Sequence, residues 1–175
     1  MDVIVCEYSP TPARNRAITH LLMAVFVGEG HTDREAAPRM TAPAEVLARG
    51  TVFIAHQAAT EDDLLGMVIV APRTGAARQI ARDHEAEIQL LAVLPSARGH
   101  GIATRLMIAC EQKAKAMGYG HLVLSTQPTM TSAHRVYERL GYGRAPARDW
   151  QRANGRSFLV YEKALPGLTE SAVQE

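Results

Sequence analysis

LLAVLPSARGHGIATRL, residues 90–106, runs from an apolar segment through one proline and two glycines into a helix-like pattern. A strand leading through Arg98, Gly99 and Gly101 into a helix has a physical use. Glycines let the backbone come close to a ligand. The first turn of the next helix offers N–H groups without intrahelical partners and the positive end of the helix dipole. Together they suit the oxygens of a phosphate. A tight turn with no ligand is the bland alternative for glycine patterns of this kind. Two nucleotide motifs fit poorly. A P-loop needs a lysine after its glycines, and none follows here. A dinucleotide fingerprint needs a third glycine where Thr104 stands and an acid ending the next strand, but that strand reads HLVLSTQ.

Working outward, EIQLLAVL (87–94) is a mostly apolar strand, expected near the centre of its sheet. Apolar positions from Ile102 to Met117 recur at three and four, an amphipathic helix that stops before Gly118. HLVLSTQ (121–127) is the next strand, and TSAHRVYERLGY (131–142) the next helix, with Ala133, Val136, Tyr137 and Leu140 on one face. Toward the N-terminus, residues 3–8 read as a strand and 13–27 as a helix. Residues 28–43 read as loop and 44–50 as a short helix, followed by strands at 51–57 and 64–72 joined by a turn. Residues 73–84 are a longer loop. Asn154-Gly155 marks a hairpin near the C-terminus. This order predicts a mixed α/β chain with one β-α-β unit at 87–127. It also predicts a single domain over 1–165, with 166–175 a frayed polar tail.

The 175 residues are 47% apolar and 21% charged, with formal net charge +1. A chain of this length buries a core without staples, and its charge points to neither nucleic acid nor a membrane surface. Cys6 and Cys110 have no metal-site spacing, so no metal is expected. Without a CxxC pair or secretory leader, a reducing cytoplasm is the expected location. The apolar run 18–27 is too short to span a bilayer.

Arg98-x-x-Gly101-x-Ala103 resembles the Q/R-x-x-G-x-G/A loop of the GCN5-related N-acetyltransferase (GNAT) superfamily. Ala133, Tyr137, Gly141 and Tyr142 resemble its later A-x-x-x-Y-x-x-x-G-F/Y helix, so the likeness spans about 85–143. It implies a GNAT-like fold: a central, mostly antiparallel sheet of about six to seven strands, splayed between the fourth and fifth and flanked by about four helices. It implies acetyl-CoA as co-substrate, with pyrophosphate on the amides of Arg98, Gly99, His100, Gly101, Ile102, Ala103 and Thr104. The pantetheine arm would lie along Leu91, Ala92 and Val93. Arg98 would add charge to the phosphates or stand as a solvated surface arginine. Glu87 resembles the glutamate of the AEI context in protein-acetylating members and is the candidate base, with Glu85 two residues earlier on the same side. A solvated strand end is its alternative. Tyr137 is the candidate acid to the departing thiolate, with a core tyrosine as alternative. Many members carry Asn where this chain has Met130; Thr131 or Ser132 could supply a polar contact instead. His134 is a further titratable group on that helix, more often a surface residue.

The implied reaction is N-acetylation of a primary amine by direct attack. Cys110, on an apolar helix face, disfavours a covalent route. A small-molecule acceptor leads; a protein lysine or N-terminus, or a CoA-binding module without turnover, are the alternatives. The resemblance places the acceptor among residues 27–43, 73–85 and 143–156. Arg73, Arg78, Arg82, Arg144, Arg148, Arg152 and Arg156 of the latter two segments suggest an acceptor with an acid group, against the alternative of solvated loop charges. Dimers are common in such families, so a homodimer is compatible with this reading.

Overall fold

In a computed structural model, residues 2–75 and 77–166 are described; all of the expected tail except Pro166 lies outside them. Eight strands form the sheet: β1 (Val3–Glu7), β2 (Thr51–Gln57), β3 (Thr60–Ala71), β4 (Glu85–Val93), β5 (His121–Thr126), β6 (Gly143–Arg144), β7 (Trp150–Gln151) and β8 (Ser157–Ala164). Their order is β1-β2-β3-β4-β5-β8-β6, with β7 on β8. All neighbours are antiparallel except β4 and β5. The helices are α1 (Pro12–Leu22), α2 (Ala37–Thr41), α3 (Pro43–Leu47), α4 (Ile102–Ala116) and α5 (Thr131–Arg139).

Three details differ from the sequence reading. The segment 28–43, expected as loop, contains α2, whose Pro38 sits in its first turn where a missing N–H costs nothing. The helix expected to reach residue 27 widens after Leu22 into a π-helical turn, Met23–Val27, closed by the Gly28 N–H on the Met23 carbonyl at 2.9 Å. The C-terminal region has one more short strand than the two expected around Asn154-Gly155, because a turn of 3₁₀ helix at Pro146–Arg148 separates β6 from β7.

The feature that positions everything else is the pairing of β4 with β5. Their ladder runs from Glu85↔His121 to Ile88↔Leu124 and ends there, although β4 continues to Val93 and β5 to Thr126. On its other side β4 carries a bulge: Met67 pairs Ala92 and Ile69 pairs Gln89, so β4 holds one more residue than β3 between these pairs. Leu90 takes up the extra residue at φ 50°, a left-handed conformation that a leucine adopts at a cost of about 1–2 kcal/mol. The bulge also inverts the strand's faces. Ala86 and Ile88 pack in the core beneath α4, whereas Ala92 packs with Ile18, Leu22 and Met67 on the α1 side.

Before the bulge, Glu85, Glu87 and Gln89 share the opposite face from Ala86 and Ile88. All three are buried, so each needs a partner. Glu85 accepts from Arg148 at 2.8 and 2.9 Å and from the Arg82 N–H at 2.8 Å. Burial pushes the Glu85 carboxyl up, but Arg148 and the Arg82 N–H outweigh it and hold it below the usual carboxylate range. Arg148 also reaches Glu162 at 2.8 Å and the Ile80 carbonyl at 3.0 Å, tying the 73–84 loop to β8. Arg148→Ala strands the Glu85 charge and should lower stability at pH 7 by about 3 kcal/mol. Because the native contribution exists above the unfolded carboxyl pKa of about 4.3 and is lost as pH falls, the gap between wild type and variant should narrow below about pH 4. Denaturant titrations at pH 7 and pH 3.5 measure both.

Candidate active site

Two cavities open where β4 and β5 part. One, of about 400 Å³, runs between the start of α4 and α5 and is lined by Leu91, Val93, Arg98, Gly99, Gly101 and Thr104 on one wall and Met130, Ser132 and Val136 on the other. The second, of about 350 Å³, lies on the loop face and is lined by Phe26, Arg49, Glu87, Gln89, Tyr137 and Phe158 among others. His31, Leu91 and Met130 line both, so the cavities meet at the splay.

The first cavity takes its character from the backbone. Gly99 and Gly101 adopt φ 84° and 72°, where a side chain is strained. Ala97 and Arg98 donate back into the turn, and Arg105 donates to the Gly101 carbonyl. The N–H groups between them, Gly99 through Thr104, have no acceptor among the described residues. The segment is therefore not capped by its own neighbours, and its donors remain free for an anion. Of the residues expected along the donor, Ala92 is buried on the α1 side and the His100 side chain is exposed away from the lining. Neither side chain lines the cavity, which leaves each only its main chain there. Arg98 is exposed but paired: it meets Glu29 at 2.8 Å, and its Nε donates to the Val93 carbonyl at 3.3 Å. Met130 occupies the N-cap of α5 without a capping side chain, and Thr131 and Ser132 line the groove.

Glu87 is not a solvated strand end; it is 1% exposed. Its Oε2 accepts the N–H groups of Gln79, Ile80 and Ala81 at 3.0, 3.0 and 3.1 Å, and its Oε1 accepts the Gln89 amide at 3.0 Å. Gln89 in turn donates to the Ala77 carbonyl and accepts from Arg49 at 3.2 Å. One carboxylate thus pins the loop that roofs the second cavity. Tyr137 is 5% exposed and lies 5.6 and 6.2 Å, ring to ring, from Tyr161 and Tyr142. Its hydroxyl makes no hydrogen bond to a described residue, and burial pushes the phenol up, so it stays protonated at neutral pH. His134 lies elsewhere, with its Nε2 3.1 Å from the Gln127 carbonyl. Cys110 is fully buried and its thiol is pushed up by burial, which suits a core residue and not a nucleophile.

The Acetyltransferase (GNAT) family pattern matches residues 15–142. The chain belongs to this family. An Escherichia coli (strain K12) protein, uncharacterized N-acetyltransferase YjgM, is 32% identical over 82 residues, 47% of this chain and 46% of its own length. The chain therefore aligns with about half of that relative. Among solved structures, an acetyltransferase from Streptococcus agalactiae 2603 superposes with TM-score 0.72 at 18% identity, covering 94% of this chain and 99% of that one. An aminoglycoside 6'-N-acetyltransferase complexed with coenzyme A superposes with TM-score 0.70 at 18% identity, covering 95% and 99%. These likenesses establish the GNAT fold.

Each of the segments 27–43, 73–85 and 143–156 contributes to the lining of the second cavity, through residues such as His31, Gln79 and Arg152, but Arg49 lies outside all three. The only signal for Arg49 was a basic residue ahead of Gly50, which reads equally well as an ordinary helix end. Of the described residues, no helix is long and apolar enough to cross a membrane. For Glu87→Gln, the new amide must face either the three loop N–H groups or the Gln89 donor, leaving one buried group unpaired at about 1–3 kcal/mol. Amide exchange at Gln79, Ile80 and Ala81 should accelerate by about tenfold or more while β5 amides hold their protection. Unchanged loop exchange would remove the pinning role.

Proposed function

We propose that the protein transfers the acetyl group of acetyl-CoA to the primary amine of a small molecule, by direct attack with both substrates bound. The observation that carries this reading is the junction of the two cavities at the open edge of β4, one end of which holds six unpaired main-chain donors. The unbroken sheet from β1 to β8 supports reading 1–165 as one acetyltransferase domain. The free thiols Cys6 and Cys110 suit a reducing cytoplasm.

The co-substrate would supply an activated thioester. Its pyrophosphate fits the N–H groups of Gly99 to Thr104, and its pantetheine arm fits the edge of Leu91, Ala92 and Val93 that β5 leaves open. An amide of this edge would stabilise the developing oxyanion. A primary amine has a pKa near 10 and must lose a proton to attack. Glu87 is the proposed acceptor of that proton, through a water: its Oε2 is saturated, but Oε1 carries a single described donor and retains a lone pair. Tyr137, uncharged and with a free hydroxyl in the cavity, is the proposed donor to the departing sulfur, so the phenol gives one proton to the thiolate as the C–S bond breaks.

Thiol release from acetyl-CoA in the presence of a panel of amines tests the activity. No release with any amine or peptide would overturn it. Tyr137→Phe should cut kcat by about 10²-fold with donor affinity intact; a change within about twofold would end its acid role. Gly101→Val forces a branched side chain into φ 72° and should raise the dissociation constant of CoA by about tenfold or more, as measured by calorimetry.

A further inference from the structure

The arginines expected in the acceptor loops divide into two groups. Arg144 pairs with Asp149 at 2.7 Å, Arg148 with Glu85 and Glu162, and Arg156 with Asp33 at 3.3 Å. Arg78 lies 3.8 Å from Asp83, and Arg73 donates to the Asp83 carbonyl. These are structural clamps or loop charges, and none lines the second cavity. Three other arginines do line it: Arg39, Arg49 and Arg152. None has a carboxylate within 4.0 Å among the described residues. Arg49 is half-buried, and among the described residues its guanidinium has one hydrogen bond, to the neutral amide oxygen of Gln89. Arg152 lies over the stacked rings of Trp150 and Phe158, 5.8 and 5.0 Å from their centroids.

The cavity therefore collects three guanidinium groups against one carboxylate, Glu87, which is already bonded to four donors. Arg152 also adds to the burial that lowers the Arg49 pKa, while Glu45 and Glu87 oppose it. Holding three like charges around a concave space with a single carboxylate among them costs free energy that a bound anion would recover. Resting on the acetyltransferase reading, we propose that the acceptor amine also carries an anionic group, a carboxylate or phosphate, held by Arg49 and Arg152 with Arg39 at the rim. Guanidinium forks suit both groups bidentately.

Trp150 is the only tryptophan of the chain and sits beneath Arg152, so its fluorescence reports on this site without turnover. Protein saturated with CoA is titrated with N-acetyl amino acids, with their C-terminal amides, and with inorganic phosphate. The acids or phosphate should bind at least tenfold more tightly than the amides, and whichever of the two binds tighter identifies the headgroup. Arg49→Gln should weaken anion binding by about tenfold or more with the melting temperature retained. Arg152→Gln should do the same when read by thermal shift. Equal binding of acids and amides, or no binding of any of these probes, overturns the proposal. Anion binding without thiol release from any amine would leave the anion site standing and defeat the acetyltransferase reading alone.

Discussion

The structure depends on a ladder that stops. β4 and β5 exchange backbone hydrogen bonds only as far as Ile88 and Leu124, and then separate. Elsewhere in a sheet an unpaired edge is a liability. Here the edge is interior, flanked by α4 and α5, and faces a groove where a ligand's own amide groups could complete it. The separation has a local cause in the extra residue of β4 and the left-handed Leu90. A conformation unfavourable for leucine persists because the surrounding packing over-determines it: Leu90 is held against the α1-side core, and Ala92 is buried two residues on.

One inserted residue also lets a single strand serve both cavities. Glu87 and Gln89 face the loop side and line the second cavity. After the bulge, Val93 lines the groove beside α4, and Leu91 lines both. An unbulged strand would send residues 87, 89, 91 and 93 to one face. The two cavities would then sit side by side on the same surface of the sheet. The bulge instead makes them meet across its edge, which is what an attack by one bound molecule on another requires.

Much of this was legible in the sequence. The apolar run before Pro95, the glycines at 99 and 101 and the 3.6-residue pattern after them defined the strand, turn and helix. Asn154-Gly155 gave the hairpin. The positive φ of Leu90 was not legible, since leucine carries no signal for it and the bulge is imposed by tertiary packing. Nor was the sorting of the arginines. Sequence alone places Arg148 and Arg152 in one segment with equal claims, but Arg148 has two carboxylates across the sheet at β4 and β8, and Arg152 has none within 4.0 Å among the described residues. Which charge is already satisfied is a long-range property, and only the fold decides it.

The same logic separates the two glutamates of β4. Glu85 and Glu87 lie two residues apart on one face, and both are buried. Glu85 is neutralised by a guanidinium, whereas Glu87 is held by three main-chain N–H groups and one side-chain amide, none of which carries a formal charge. Dipoles stabilise a carboxylate without cancelling its net charge. Glu87 therefore has no direct ion pair among the described residues, although Arg49 is near enough to interact with it, while Glu85 is paired with Arg148. On the proposed reading, a cationic amine beside Glu87 would meet a negative group there, and an anionic part of the same molecule would face Arg49 and Arg152. The cavity's polarity would orient a substrate bearing both charges before any bond to it forms.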